Sequence, residues 1–313
     1  MKPLTCYTTK LTDAQARLVE QRLLDGGFAP HPTPYARFGG TKDALAVVFY
    51  ESGKLVVQGK GTQDFVQFFL EPEVLGEARL GYEEQLNPRA YEPHMGVDES
   101  GKGDFFGPLV ISAVFATADA IHLFRELGVK DSKNISSDAR ALELDRAIRK
   151  TPGCTVTLVP IGPAAYNRMH AKMGSVNKIL GWGHARSIEN VLEQVDPKDT
   201  GNICKRAISD QFGKKETVLR ALLARGRKIE LEQRHRAEED LVVAAASIIA
   251  RAEFILALRR MGQRWEIEFP KGASDLVIAA GREFVRKHGS AKLGEVAKTH
   301  FQTTQKVESL PGC

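Results

Sequence analysis

Two adjacent carboxylates, Asp98 and Glu99, stand at the head of the run Gly96-Val-Asp-Glu-Ser-Gly-Lys-Gly-Asp-Phe-Phe-Gly-Pro-Leu-Val110. Apolar residues on both sides read as two strands, with Gly101, Gly103, Gly107 and Pro108 as the punctuation between them. Neighbouring side chains on a strand point to opposite faces, so Asp98 and Glu99 cannot both enter a core. At least one must therefore meet solvent or a ligand. Carboxylates take hard, oxygen-seeking cations, and a Gly-Lys-Gly turn lets backbone N–H groups approach anionic oxygens, so the stretch suits a divalent metal and a phosphate. Three more acids invite the same question. Asp210 ends an apolar strand at Ile208-Ser-Asp-Gln-Phe-Gly213, and ligand sites in open α/β sheets lie beyond such strand ends. Asp240 and Glu253 bracket an alanine-rich segment that reads as a buried helix, and thirteen residues put them about 220° apart around its axis. They cannot share a face, so only one of them can look toward the site.

The elements that must hold these residues follow from hydrophobic period and turn signals. Residues 1–70 read as a small α+β module: a strand at 4–9, a helix capped by Thr12 with Ala16, Val19, Leu23 and Leu24 on its apolar stripe, a hairpin of strands 45–50 and 54–58, and a helix through Phe65, Phe68 and Phe69. Residues 71–93, net acidic and carrying Pro72, Gly76, Gly81 and Pro88, read as a linker. From 94 to 313, strands near 95–117, 155–161, 205–209 and 228–232 alternate with helices at 118–127, 136–150, 162–171, 175–194, 215–224, 236–260, 273–288 and 293–299. Strand neighbours first and alternation afterwards imply a mixed α/β sheet covered by helices.

Composition narrows the class. The 313 residues are 42% hydrophobic and 27% charged, with a formal charge of +5 and a pI near 8.9. That is an ordinary globular balance with a mild lean toward polyanions. Cys6, Cys154, Cys204 and Cys313 form no Cys-x-x-Cys pair, so neither a zinc site nor a disulfide framework is expected. The longest apolar run, Leu241 to Ala246, is far below a membrane span, and the N-terminus lacks a signal-peptide core. A cytoplasmic monomer with no membrane or protein partner is the expectation.

Gly96 to Val110, Asp131-Ser-Lys-Asn134, Ile208 to Phe212, Ala244-Ala-Ala-Ser-Ile-Ile-Ala-Arg251 and Ala297-Lys-Thr-His-Phe301 occur in an order that resembles ribonuclease HIII, a type-2 ribonuclease H family. The resemblance implies an RNase H-like five-stranded mixed sheet flanked by helices, and an N-terminal module similar to a TATA-binding-protein-like substrate domain. It implies Asp98, Glu99, Asp210 and Glu253 as four active-site acids sharing two Mg²⁺ or Mn²⁺ ions, and it favours Glu253 over Asp240. Gly101, Lys102 and Gly103 resemble the backbone clamp that meets nucleotides in type-2 enzymes, and Ser132, Lys133 and Asn134 match a loop near the substrate. The implied reaction is endonucleolytic hydrolysis of the RNA strand of an RNA/DNA hybrid, leaving 3′-hydroxyl and 5′-phosphate ends.

One absence sharpens the expectation. Type-2 enzymes that cut at a single embedded ribonucleotide use a tyrosine beyond the acidic helix, whereas this chain has none after Tyr166 and carries Phe269-Pro-Lys-Gly272 there. A run of ribonucleotides is expected as substrate, with ribonuclease HII-like cleavage at single ribonucleotides as the alternative. A DNA-cutting relative and a non-catalytic binding protein are the further readings, and the second leaves clustered acids unexplained because carboxylates repel phosphates. His184 and His300 read as packing or surface residues and stand outside the expected catalytic set. Tyr35, Arg37, Phe38, Lys42, Lys54 and Lys60 give the N-terminal module a sparse basic and aromatic surface that could follow a hybrid's backbone.

Overall fold

The computed structural model describes residues 4–76, 88–130, 132, 135–198, 203–213 and 216–309. It divides into two units, Met1–Ala90 and Tyr91–Cys313. In the first, strands β1 (Cys6–Lys10), β2 (Ala29–Pro30), β3 (Ala36–Lys42), β4 (Leu45–Tyr50) and β5 (Lys54–Gly59) form an antiparallel sheet in the order β1-β5-β4-β3-β2. Helix α1 (Asp13–Asp25) opens on a capping box, in which the Thr12 hydroxyl accepts from the Gln15 amide and the Gln15 side chain accepts from the Thr12 amide. Ala16, Val19 and Leu23 are buried against the sheet, while Leu24, expected on the same stripe, is 70% exposed.

Two further differences from the sequence reading have clear causes. Arg37-Phe-Gly-Gly-Thr-Lys is a strand despite its glycines, because a Cβ at Gly39 would meet the His31 carbonyl at 2.6 Å, and glycine is what lets β2 and β3 pair. Helix α2 (Thr62–Phe65) runs on as a π-helix over Val66–Leu75, past Pro72 and past the boundary expected at residue 70. Val66, Phe69, Leu70 and Val74 all enter the module's core, so packing carries the helix through a residue that reads as a stop.

The second unit is built on strands β6 (His94–Ser100), β7 (Leu109–Ala116), β8 (Cys154–Ile161), β9 (Arg206–Asp210) and β10 (Glu230–Arg234), in the order β10-β9-β6-β7-β8. β6, β9 and β10 are parallel, and β7 runs antiparallel to both β6 and β8. The flanking helices are α3 (Ala118–Glu126), α4 (Asp138–Lys150), α5 (Pro163–Met173), α6 (Val176–Val195), α7 (Glu216–Ala221), α8 (Leu241–Trp265), α9 (Asp275–His288) and α10 (Thr303–Glu308). The segment expected as a helix at 293–299 is instead a 3₁₀ turn, Ser290–Glu295, and α10 was not foreseen.

Helices α8 and α6 cover opposite faces of the sheet. Gly96 on β6 permits the first contact, since a Cβ there would stand 2.3 Å from the backbone of Val242 and Val243. Gly183 on α6 permits the second, its missing Cβ leaving room for Ile111 Cδ1. By length and hydropathy α8 could cross a membrane, yet 72% of its apolar window is buried in the protein, which makes it the central core helix. Its start is fixed by chemistry. Asp240 is the N-cap, accepting from the amides of Val242 and Val243, and the His94 ring holds the same carboxylate at 3.0 Å. Burial acts to raise the Asp240 pKa, but the His94 hydrogen bond and charge and the two amides outweigh it and leave the group below its ordinary value. Asp240 is thereby a structural acid, and the helix begins at 241 rather than near 236.

Candidate active site

The parallel pairing of β6 with β9 sets Val97 beside Ser209, which brings Asp98 and Asp210 to the same edge of the sheet. Strand alternation then sends Asp98 and Glu99 to different layers. Asp98 faces α8, where Ser247 hydrogen-bonds it, and its own Oδ1 accepts from the Glu99 amide at 2.8 Å. Glu99 faces α6, where His184 Nε2 stands 3.1 Å from its Oε2, and Lys102 Nζ lies 3.6 Å from its Oε1. Asp98, Glu99 and Asp210 nevertheless line one cleft of about 520 Å³, because all three sit where the strands run out.

The electrostatics of the neighbouring acids differ in sign. Burial, then repulsion from Glu99, hold the Asp98 carboxyl well above the usual carboxylate range, against the pull of Ser247 and the Glu99 amide. For Glu99, burial acts upward, but the His184 hydrogen bond and charge, joined by Lys102, prevail and its pKa is lowered. One acid is thus poorly compensated and the other well held. Among the described residues no three His, Cys, Asp or Glu side chains form a ready-made ligand set. The carboxylate oxygens of Asp98, Glu99 and Asp210 meet at the cleft, and oxygen donors of this type suit Mg²⁺ or Mn²⁺.

The turn that follows β6 walls the cleft with Gly101, Lys102 and Gly103. Gly101 has φ +87°, and a Cβ on it would meet the Pro108 carbonyl at 2.2 Å and the Phe254 ring. Gly103 is different: nothing lies within 4 Å of where its Cβ would be, so the fold itself does not demand glycine there. Ser132 also lines the cleft, its Oγ 2.7 Å from Ser247 Oγ. Lys133 and Asn134, expected beside it, lie outside the described residues. Arg251 donates to the Ser132 and Ile135 carbonyls and to Asp138, which also takes Lys271 at 2.5 Å. Burial would raise the Asp138 pKa, but these two cations bring it below its usual value.

Glu253 stands apart from this assembly. On α8 the residues that line the cleft are Ser247, Arg251 and Phe254, and Glu253 is rotated about 240° around the axis from Ser247. It pairs instead with Arg260, and its charge acts on Asp145 of α4. Position in the chain suggested Glu253, and helix phase puts it on another face. The sequence reading also left out His184, Ser247, Arg251 and Lys271. Ser247 carried a signal, as a lone hydroxyl within an otherwise apolar run, whereas nothing local links His184 to Glu99, 85 residues away.

A mixed five-stranded sheet with acids at the ends of its first and fourth strands is the RNase H-like arrangement that the sequence resemblance implies. The family model described as Ribonuclease HII matches residues 95–304. Ribonuclease HIII of Protochlamydia amoebophila (strain UWE25) is 39% identical over 98% of this chain and 98% of its own length, and that of Chlamydia muridarum is 40% identical over 97% of each. Among solved structures, Bst-RNase HIII in complex with Mn²⁺ superposes with a TM-score of 0.68 at 26% identity, covering 97% of this chain and 98% of that one. The chain belongs to the type-2 ribonuclease H family, in its ribonuclease HIII branch. It is an endoribonuclease of the kind that hydrolyses the RNA strand of RNA/DNA hybrids.

Proposed function

We propose that the chain cuts the RNA strand with two divalent ions, Mg²⁺ or Mn²⁺, held by Asp98, Glu99 and Asp210, and leaves 3′-hydroxyl and 5′-phosphate ends. The observation that carries this reading is the convergence of these three acids on one cleft beside the Gly101–Gly103 turn. The Mn²⁺ in the related Bst-RNase HIII supports the choice of ion. When bound, the ions supply water activation and stabilise the leaving oxygen of an in-line displacement. The chain's own side chains do the rest. His184 and Ser247 fix the rotamers of Glu99 and Asp98 from opposite sides of the strand. Gly103, with open space at its Cα, lets a nucleotide reach the backbone amides. Arg251 and Lys271, sharing the single charge of Asp138, leave net positive charge at the cleft edge for phosphate oxygens.

Runs of ribonucleotides are the proposed substrate. Phe269, near the place where single-ribonucleotide cutters carry a tyrosine, is 6% exposed and packs on Phe106 and Phe284, so it cannot stack on a nucleotide. The N-terminal module offers Tyr35 at 80% exposure as a stacking platform, while Phe38 is stacked on Phe49 and Arg37 is paired with Asp13. A monomer in the cytoplasm is the proposed setting, consistent with Cys6, Cys154 and Cys204 as free thiols.

The test is incubation with a labelled RNA/DNA hybrid, the matching DNA duplex and a duplex carrying one ribonucleotide, each with Mg²⁺, Mn²⁺ or chelator. Cleavage of the hybrid alone, abolished by chelator, is expected. Efficient cutting at the single ribonucleotide would favour the ribonuclease HII-like alternative, and metal-independent cleavage would exclude the two-ion reading.

A further inference from the structure

Lys298 is 0% exposed, and among the described residues it forms no ion pair. Its Nζ donates to the carbonyls of Asp104 at 2.7 Å, Gly107 at 2.8 Å and Phe106 at 3.4 Å. An ammonium has three protons and no acceptor, so three carbonyls answer it fully. The backbone repeats the contact. The Lys298 amide donates to the Phe105 carbonyl at 2.8 Å, the Gly107 amide to the Val296 carbonyl at 3.0 Å, and Phe106 and Ala297 form an antiparallel bridge. Residues 296–298 therefore lie as a strap along 104–107, anchored by a buried charge.

Burying a charge is costly, and an apolar side chain of similar length would fill the same space without that cost. What an apolar side chain could not do is tie the carbonyls of Asp104, Phe106 and Gly107, all in one turn, to a single point. That turn continues directly into Gly101–Gly103 at the cleft. Its other side is held by Asp104, whose Oδ1 accepts from the Gly272 amide at 2.6 Å, and by the Phe105 amide, which donates to the Gly272 carbonyl. The acids, by contrast, sit on β6 and β9 and owe their places to the sheet ladder.

We propose that Lys298 is a positioning residue for substrate recognition: by gathering the carbonyls of 104–107 it sets the height of the Gly101–Lys102–Gly103 backbone against the nucleic acid. The inference rests on the function proposed above. Its effect falls on hybrid affinity and leaves the chemical step at saturation nearly untouched, because the acids are anchored elsewhere.

Lys298→Met keeps the length and removes all three donors. In a folded variant, judged by circular dichroism and a cooperative melt, KM for the hybrid should rise at least about tenfold, with kcat within about threefold of the unaltered chain. Lys298→Gln, which retains two N–H donors, should fall between. Unchanged KM in folded Lys298→Met overturns the proposal, as does a fall in kcat with KM unchanged. If neither variant folds, a lysine-selective ¹H–¹⁵N spectrum of the unaltered protein decides. At pH 6, below the value of about 7 to which burial pushes this ammonium, a protected NH₃⁺ signal with contacts to the Tyr166 ring is expected, and its absence overturns the geometry. The unaltered protein serves as control: its failure to cut the hybrid would indict the functional reading and not the role of Lys298.

Discussion

Gly96→Ala is a one-carbon test of how the active site is assembled. The added Cβ would fall 2.3 Å from Val242 C and Val243 N and 2.4 Å from Val242 O, all of them backbone atoms of α8 that have no rotamer to change. Ordinary carbon contacts need about 3.5 Å, so helix and strand must separate by about 1 Å, and a gap of that size forfeits up to about half of each dispersion contact along the seam. The seam includes Val242, Val243, Ala245 and Ala246, all fully buried. Overpacking of side chains costs about 1–3 kcal/mol, and for rigid backbone we expect the upper end, about 3 kcal/mol. With a urea slope of about 2–3 kcal/mol per molar, the midpoint should fall by about 1 M. Ser247, five residues further along the same helix, moves with it and leaves Asp98 and Ser132, so hybrid cleavage should drop at least about tenfold even where the variant is folded. Urea titration followed by tryptophan fluorescence, with activity measured well below the midpoint, reads both effects. A Gly96→Ala protein whose midpoint and kcat match those of the unaltered chain would falsify the close-approach reasoning.

The remaining predictions separate roles within the site. Asp98→Asn should lose roughly a thousandfold in kcat while folding normally, whereas Glu253→Gln, whose carboxylate answers Arg260, should stay within about threefold; a large loss at Glu253 would show that α8 turns or slides when substrate binds. Asp240→Asn keeps an oxygen that can cap the helix but removes the negative charge beside the His94 ring and the helix N-terminus, and should cost about 1 kcal/mol at pH 7. Because the folded Asp240 pKa lies below the unfolded value of 3.8, its charge contributes stability above that value and loses it as pH falls through the lower folded pKa. The gap between the two proteins in urea midpoint should therefore narrow below pH 4, and a gap that widens there would contradict the assignment. Tyr35→Ala should leave the melting temperature unchanged and weaken hybrid binding by roughly fivefold if the ring stacks on a base. Equal affinity by fluorescence anisotropy would remove Tyr35 from the interface.

The sequence carried some of these relations openly and hid others. Asp98 and Glu99 were legible as a pair divided between two faces, because alternation on a strand is a local rule, and Asp210 was legible as a strand-end acid for the same reason. Asp240 was misjudged as a rival to Glu253, although an aspartate directly before Leu-Val-Val-Ala-Ala-Ala is a helix cap by its own chemistry. Glu253 failed on helix phase, which has meaning only once a residue known to face the cleft, here Ser247, supplies the origin. β3 was hidden by Gly39 and Gly40, whose value lies in close approaches to residues distant along the chain, the His31 carbonyl at Gly39 and the Leu23 and Phe28 side chains at Gly40, and the continuation of α2 past Pro72 was hidden because tertiary packing overrode a local stop. His184, Arg251 and Lys298 act through partners 85, 119 and 194 residues away, and no window of sequence contains both ends of such bonds.

The split custody of the two neighbouring carboxylates has a practical corollary. Ser247 reaches one from above the sheet and His184 the other from below, so each acid can be retuned by redesigning a helix that the other does not use. A catalyst wired in this way offers two handles only one residue apart, linked by the charge of Glu99 acting on Asp98.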